Sequence, residues 1–157
     1  MDVLVFHLNA QRYGLPVADV QEVVRAVAVA PLPKAPRIVE GVIDVRGRLV
    51  PTLDVRARFR MGAKPLHPSD FLVLARVGGQ LLALRVDAVP ELVRLAEADV
   101  ETLDQLVLGA EYIAGVGKLP DGLVLIHDLR TFLSHAEAAE LSQALDISPP
   151  SPEPGAP

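Results

Sequence analysis

Short apolar runs separated by turn-forming residues make up most of the chain. Runs of this length, rich in Val, Leu and Ile, are typical of β-strands and not of helices. The pattern predicts strands around Val3 and Val5 and over residues 15–17, 20–30, 38–45, 49–55, 71–77, 81–86, 113–118 and 123–128, with a further apolar segment at 92–95. We therefore expect a mainly β fold of small barrels or a sandwich.

The predicted strands are joined by recognisable turns, and the chain ends in a different pattern. Arg46-Gly47-Arg48 predicts a tight turn in which Gly47 takes a positive φ. Apolar positions at helical spacing predict a C-terminal helix over 131–144. Prolines dominate 148–157, which predicts a disordered tail.

The two halves of the chain resemble each other. Val20-Gln21-Glu22-Val23 matches Val89-Pro90-Glu91-Leu92 at an offset of 69 residues, and Gly41-Val42 matches Gly115-Val116 at an offset of 74. Asp54-Val55-Arg56 matches Asp128-Leu129-Arg130 at the same second offset. We expect one domain over 1–147 with lobes at about 1–66 and 67–147, whose boundaries are approximate because strands can be exchanged between the lobes. A groove should lie where the lobes meet.

Composition excludes several classes of function. The chain has no cysteine, so disulfides, thiolate catalysis and zinc–thiolate sites are excluded, and its four scattered histidines predict no metal site. A net charge of −5 and an aromatic content of 4% argue against nucleic-acid binding. No apolar run approaches the roughly 20 residues of a membrane helix, and we expect no secretory leader and no cofactor.

Charge is unevenly distributed along the chain. Residues 34–64 contain eight basic and three acidic residues, whereas 87–111 contain seven acidic residues and one basic residue. Such asymmetry either orients docking onto a partner or draws the two lobes together. The sequence leaves both interpretations open, together with simple solvation of both charged faces.

Catalytic motifs are missing, with one arrangement to consider. The duplication supplies one aspartate from each half, Asp54 and Asp128, and such a pair can share a proton. Each is followed by a bulky residue and then by an arginine, which instead indicates turn capping or an ion pair. We expect no enzymatic activity; a small enzyme or ligand-binding barrel that uses Asp54 and Asp128 is a remote alternative.

One long composite motif resembles the CheW family of chemotaxis coupling proteins. In that family the pattern is approximately Val-x-Glu-Val, Pro-x-x-Pro and Gly-Val-Ile-Asn-Leu-Arg-Gly-x-Ile-x-Pro-Val-Ile-Asp-Leu-Arg. The corresponding residues here are Val20-Gln21-Glu22-Val23, Pro33-x-x-Pro36 and Gly41-Val42-Ile43-Asp44-Val45-Arg46-Gly47-Arg48-Leu49-Val50-Pro51-Thr52-Leu53-Asp54-Val55-Arg56. Asp44 in place of the usual Asn and Thr52 at an aliphatic position are departures from it.

The resemblance implies a fold and a function. The fold is two pseudo-symmetric SH3-like five-stranded β-barrels packed on a shared core. The function is a non-enzymatic adaptor, cytoplasmic and recruited to receptor arrays, that couples the cytoplasmic tip of a methyl-accepting chemoreceptor to the regulatory domain of a CheA-type histidine kinase. A CheW-like scaffold of another chemosensory pathway, such as surface motility or pilus control, is the alternative.

The resemblance also implies partner-binding positions. Arg46 matches the family arginine at the receptor-facing surface, within a turn that includes Asp44 and Gly47; Glu22 and Val20 match a pair associated with partner binding. Each position also has an internal interpretation: Arg46 can bond within its own lobe, Val20 can belong to the core, Asp44 can position Arg46, and Gly41 can permit close strand approach.

Overall fold

The structure is a computed structural model that describes residues 1–77, 79–102 and 112–147. The strands are β1 (Asp2–Leu8), β2 (Gln11–Pro16), β3 (Val20–Arg25), β4 (Val39–Val45), β5 (Arg48–Leu53), β6 (Phe71–Val77), β7 (Gln80–Val86), β8 (Ala88–Arg94), β9 (Val100–Thr102), β10 (Ile113–Leu119) and β11 (Gly122–His127). The α-helices are α1 (Val55–Arg58) and α2 (His135–Ile147). Short 3-10 helices occupy Val17–Asp19, Glu97–Asp99 and Leu129–Thr131.

The strands form two sheets, and each sheet takes strands from both halves of the chain. One sheet has the order β8-β1-β2-β11-β10-β9 and the other the order β3-β6-β7-β5-β4. The sheets therefore exchange strands, as the lobe prediction allowed, and a boundary near residue 66 does not coincide with a boundary between the sheets.

The internal duplication is present in the pairing of the strands. At the sequence offsets, β8-β1-β2-β11-β10 corresponds strand for strand to β3-β6-β7-β5-β4. One parallel pair lies at the centre of each sheet, β11 with β2 and β5 with β7. The bulge between Val39 and Gly41 in β4 recurs between Ile113 and Gly115 in β10. The mainly β, pseudo-symmetric fold class is therefore confirmed.

The apolar runs are nearly continuous because central strands bury both of their faces. In β1, Val3 and Val5 belong to one cluster, whereas Leu4 and Phe6 belong to another. The first cluster is the interior of one lobe, and a matching interior in the other lobe contains Leu72 and Leu74. A larger cluster lies between the lobes and includes residues from both halves, among them Leu4, Phe6, Leu53, Val73, Leu84 and Phe132.

Several local predictions need correction. The strand predicted over 20–30 ends at Arg25, and only an isolated bridge between Ala30 and Val42 follows. The segment predicted as extended over 49–55 ends at Leu53 and turns into α1. The predicted helix 131–144 is displaced, because a 3-10 turn precedes α2 and Ser134 caps the helix proper. The predicted disordered tail, 148–157, lies outside the described residues.

No helix in the described part of the chain has the length and apolar character needed to cross a membrane. α2 is the longest helix there, with 13 residues, and it contains Glu137, Glu140 and Asp146.

Candidate functional site

The β4–β5 hairpin presents Arg46 at its tip. Val45 pairs with Arg48, which leaves Arg46 and Gly47 as a two-residue turn. Their φ angles are 50° and 81°, and positive φ at both central residues is the requirement of a type I′ turn. The backbone N–H of Gly47 donates to Asp44 Oδ1 at 2.7 Å. Asp44 therefore holds the turn next to Arg46, although it is itself exposed.

Arg46 forms an ion pair with Glu22, and this pair joins opposite edges of one sheet. Glu22 lies on β3 and Arg46 follows β4, which are the two edge strands of the five-stranded sheet. Val24 and Val45 from the same edges pack on one apolar cluster inside the lobe. The Arg46 side chain is 72% exposed and that of Glu22 is 26% exposed. The guanidinium is therefore oriented by its own lobe and still accessible to a partner.

Gly41 and Val20 have structural roles in the same lobe. A Cβ at Gly41 would lie 2.1 Å from the carbonyl oxygen of Ala30, which pairs with Val42. Gly41 is therefore required by the close approach of two backbones. Val20 is half-buried at the border of the large cluster between the lobes. The structure thus brings Glu22, Asp44, Arg46 and Gly47 together, whereas Gly41 and Val20 support the lobe around them.

One feature of this hairpin was missing from the sequence analysis. Leu49 is 50% exposed on the outer face of β5. A leucine directly before Val50, which points inward, places an apolar residue on the outer face. That alternation was the available signal. The hairpin therefore presents an apolar side chain next to two arginines, the mixture found at protein interfaces.

The basic and acidic stretches of the sequence meet in a buried ion-pair network. Arg56, with 6% of its side chain exposed, donates to Asp87 Oδ1 at 2.7 Å and to Asn9 Oδ1 at 2.8 Å. Lys64 Nζ lies 3.1 Å from Asp87 Oδ1. Burial alone would raise the pKa of Asp87, but hydrogen bonds from Arg56, the backbone of Asn9 and Lys64 outweigh it and hold that pKa below its usual value. For Arg56, Lys64 and Asp87, these contacts favour the interpretation that the basic and acidic stretches attract each other within the molecule.

The network continues to the linker between the repeats. Asp70 is fully buried and accepts from Arg85, which also donates to Glu40 and to the backbone carbonyl of Lys64. The linker that follows α1 is thereby tied to β4 and β7. This network is structural, because Arg56 and Arg85 are buried and each donates hydrogen bonds to at least two other residues of the chain.

The two duplicated aspartates have different surroundings. Asp128 caps the following 3-10 turn and pairs with Arg130, whose Nε lies 3.1 Å from Asp128 Oδ1. Asp54 precedes α1 without a side-chain capping bond. Among the described residues no group of three or more His, Asp or Glu could hold a metal ion.

Comparison with known proteins decides the family. A model of the CheW-like domain matches residues 2–137. The chain belongs to the CheW-like domain family. Among its relatives, the chemotaxis protein CheW of Treponema pallidum is 27% identical over 146 residues, covering 89% of this chain and 86% of that protein. The chemotaxis protein CheW of Klebsiella aerogenes is 25% identical over 140 residues, covering 88% and 84%.

A solved structure agrees with this assignment. The scaffolding protein TtCheW from Thermoanaerobacter tengcongensis superposes with a TM-score of 0.79 at 28% identity, covering 87% of this chain and 94% of that one. The resemblance drawn from the composite motif is therefore confirmed for this CheW-like chain.

Proposed function

We propose that this CheW-like chain is a chemotaxis coupling adaptor that links a methyl-accepting chemoreceptor to a CheA-type histidine kinase. Its support is the family match over 2–137 together with relatives named chemotaxis protein CheW and a structural neighbour described as a scaffolding protein. These matches do not favour the alternatives, another chemosensory pathway or an enzyme that uses Asp54 and Asp128.

The partner-binding surface is the face formed by Arg46 and Glu22 at the tip of the β4–β5 hairpin. The single observation that carries this choice is the accessible guanidinium of Arg46, oriented by Glu22 from the opposite edge of the sheet. A guanidinium held in place loses little side-chain entropy when it binds a partner's carboxylate or carbonyl. Asp44 and Gly47 contribute by fixing the turn, and Val20 and Gly41 by supporting the strands behind it.

The adaptor acts without catalysis and works in the cytoplasm at receptor arrays. Of the two duplicated aspartates, Asp128 already accepts hydrogen bonds from the backbone and the guanidinium of Arg130. The partner-binding groups of this face bind and orient; none of them is arranged as a nucleophile and base.

Co-sedimentation with a receptor signalling fragment and the kinase tests the proposal. Because the Arg46 side chain is exposed, we expect Arg46→Glu to fold. The variant replaces the guanidinium with a second carboxylate beside Glu22, and we expect it to be absent from the complex. Arg94→Glu is the matched control, because Arg94 is likewise exposed and paired with an acidic residue, Asp2, on a different strand edge. Failure of the wild-type chain to bind either partner would overturn the adaptor role. Equal binding by wild type and Arg46→Glu would overturn the site alone.

A further inference from the structure

A groove of about 310 Å³ lies between α2 and the hairpin of β6 and β7. Its apolar walls include Val77 and Leu82 on the hairpin side and Leu133 and Leu141 on the helix side, and Arg130 lies at its rim. A second depression of about 400 Å³ adjoins it, because Val77 and Arg130 line both. The volume is at the lower end of the range typical of ligand pockets, about 300–1,000 Å³.

The first repeat has an equivalent region, and there aromatic side chains of the chain itself fill the space. At the offsets of the duplication, Leu82 corresponds to Tyr13 and Leu133 to Phe59. The rings of Tyr13 and Phe59 stack with centroids 5.0 Å apart. The linker continues over the same hairpin, where the amide of Asn9 contacts the sulfur of Met61 at 3.6 Å.

The second repeat lacks this aromatic filling for two local reasons. Both aromatic residues are replaced by leucines, which leaves space between the hairpin and the segment after Arg130. The chain also turns away after Leu133, because Ser134 and Glu137 form a capping box that starts α2. The ion pair between Arg58 and Glu137 then holds the helix in that position.

The equivalent arginines of the two repeats, Arg56 and Arg130, also differ in how many partners the chain supplies to them. Arg56 donates hydrogen bonds to a carboxylate and to an amide oxygen from distant parts of the chain, those of Asp87 and Asn9. Its counterpart Arg130 is 86% exposed, and within the described residues it hydrogen-bonds only to Asp128, two positions away, with Asp19 as a second acidic group nearby. A guanidinium has five donors, so Arg130 retains the capacity to bind a second carboxylate.

We propose that this groove binds an extended segment of a partner protein that presents an aromatic side chain next to a carboxylate. The aromatic ring takes the place that Phe59 holds in the first repeat, and the carboxylate takes the place that Asp87 holds against Arg56. The site lies on α2 and the β6–β7 hairpin, it shares no residue with the face of Arg46 and Glu22, and it does not depend on the proposed receptor or kinase.

Nuclear magnetic resonance titration of the full chain with short blocked peptides tests the site. The probe is acetyl-Glu-Phe-Glu-amide, and the controls are acetyl-Lys-Phe-Lys-amide and acetyl-Glu-Ala-Glu-amide. We expect shifts at Val77, at residues 80–82 and at residues 130–142, with an affinity for the probe at least about tenfold above that for either control. The absence of shifts at this face, or equal affinity for probe and controls, would overturn the proposal.

Two variants separate the two recognition elements. Leu133→Phe restores the aromatic residue of the first repeat, so we expect it to abolish binding of the probe. Arg130→Glu should weaken binding about tenfold through loss of the charge-assisted bond, whereas the equally exposed Arg94→Glu should leave it unchanged. Thermal unfolding of each variant verifies the fold. If Leu133→Phe disturbs packing, the comparison of Arg130→Glu with Arg94→Glu still decides, and equal binding by those two contradicts the proposal.

Discussion

His127 lies at the centre of four aromatic rings and occupies the position that Leu53 holds in the first repeat. The centroids of Phe6, Tyr13, Phe59 and Phe132 lie 4.8–5.3 Å from the centroid of its imidazole. The side chain is fully buried, and neither ring nitrogen has a hydrogen-bond partner among the described residues. Burial therefore lowers the pKa of His127 to about 3, so the imidazole is neutral in the folded protein.

Replacing this imidazole with the residue used by the other repeat should stabilise the fold. His127→Leu removes two unsatisfied polar atoms and retains an apolar side chain in the cluster. We expect the free energy of unfolding at pH 7 to rise by about 1–3 kcal/mol, the cost of burying unpaired polar groups. Urea denaturation measures it. A decrease would show that the aromatic cluster requires the flat ring.

The same residue makes stability depend on pH. The folded pKa of about 3 lies below the ordinary value of 6.5, so between these values the unfolded chain binds a proton that the folded chain does not. The free energy of unfolding is therefore not reduced by His127 protonation above pH 6.5, and it falls as the pH decreases below that value, by up to about 1.4 kcal/mol per pH unit.

Unfolding of the wild type and of His127→Leu, measured side by side from pH 7 to pH 5, tests this dependence, because the two proteins differ only in this imidazole. We expect His127→Leu to lose less stability than the wild type as the pH falls. Parallel pH curves for the two proteins would contradict the assignment to His127.

At the level of elements, two glycines in the β4–β5 hairpin are needed for different reasons. A Cβ at Gly41 would collide with the carbonyl of Ala30 at 2.1 Å. A Cβ at Gly47 meets nothing within 4 Å, and there only the φ of 81° opposes a side chain.

These reasons predict different costs for alanine at the two positions. Gly47→Ala should cost about 1 kcal/mol of conformational strain, with the turn retained. Gly41→Ala must separate Ala30 from Val42 and should cost more, about 3 kcal/mol or above. Chemical denaturation of both variants compares them. Equal losses would mean that the bridge to Ala30 is dispensable.

The ion-pair network fixes how the inter-repeat linker packs, and its central arginine has an exposed counterpart. Arg56→Ala leaves the half-buried carboxylate of Asp87 without its main partner, and we expect a loss of about 3–5 kcal/mol, as for other broken buried pairs. Arg130→Ala is the matched control at the equivalent position of the second repeat and should have little effect. Calorimetric unfolding of both variants tests the difference; similar losses would contradict the structural role of the network.

At the scale of the whole molecule, the repeated motifs in the sequence are sufficient to predict two related lobes, because Gly41-Val42 and Gly115-Val116 mark equivalent strands. They do not show that Glu22 and Arg46 meet, since β3 and β4 are the opposite edge strands of one five-stranded sheet. Nor does alternation distinguish Arg56, which is buried, from Arg130, which is exposed, since both follow the same Asp-x-Arg pattern. The start of α2 was predictable from Ser134-x-x-Glu137, a capping box within the predicted helix.

Kinase activation in reconstituted receptor clusters tests the central claim most directly. The autophosphorylation rate of the kinase would be measured with receptor fragments and either the wild-type chain, Arg46→Glu or Arg94→Glu. The account predicts activation with wild type and Arg94→Glu and a loss of at least about tenfold with Arg46→Glu, as expected when one charged partner is reversed at an interface. Full activation by folded Arg46→Glu, or none by the wild-type chain, would contradict it.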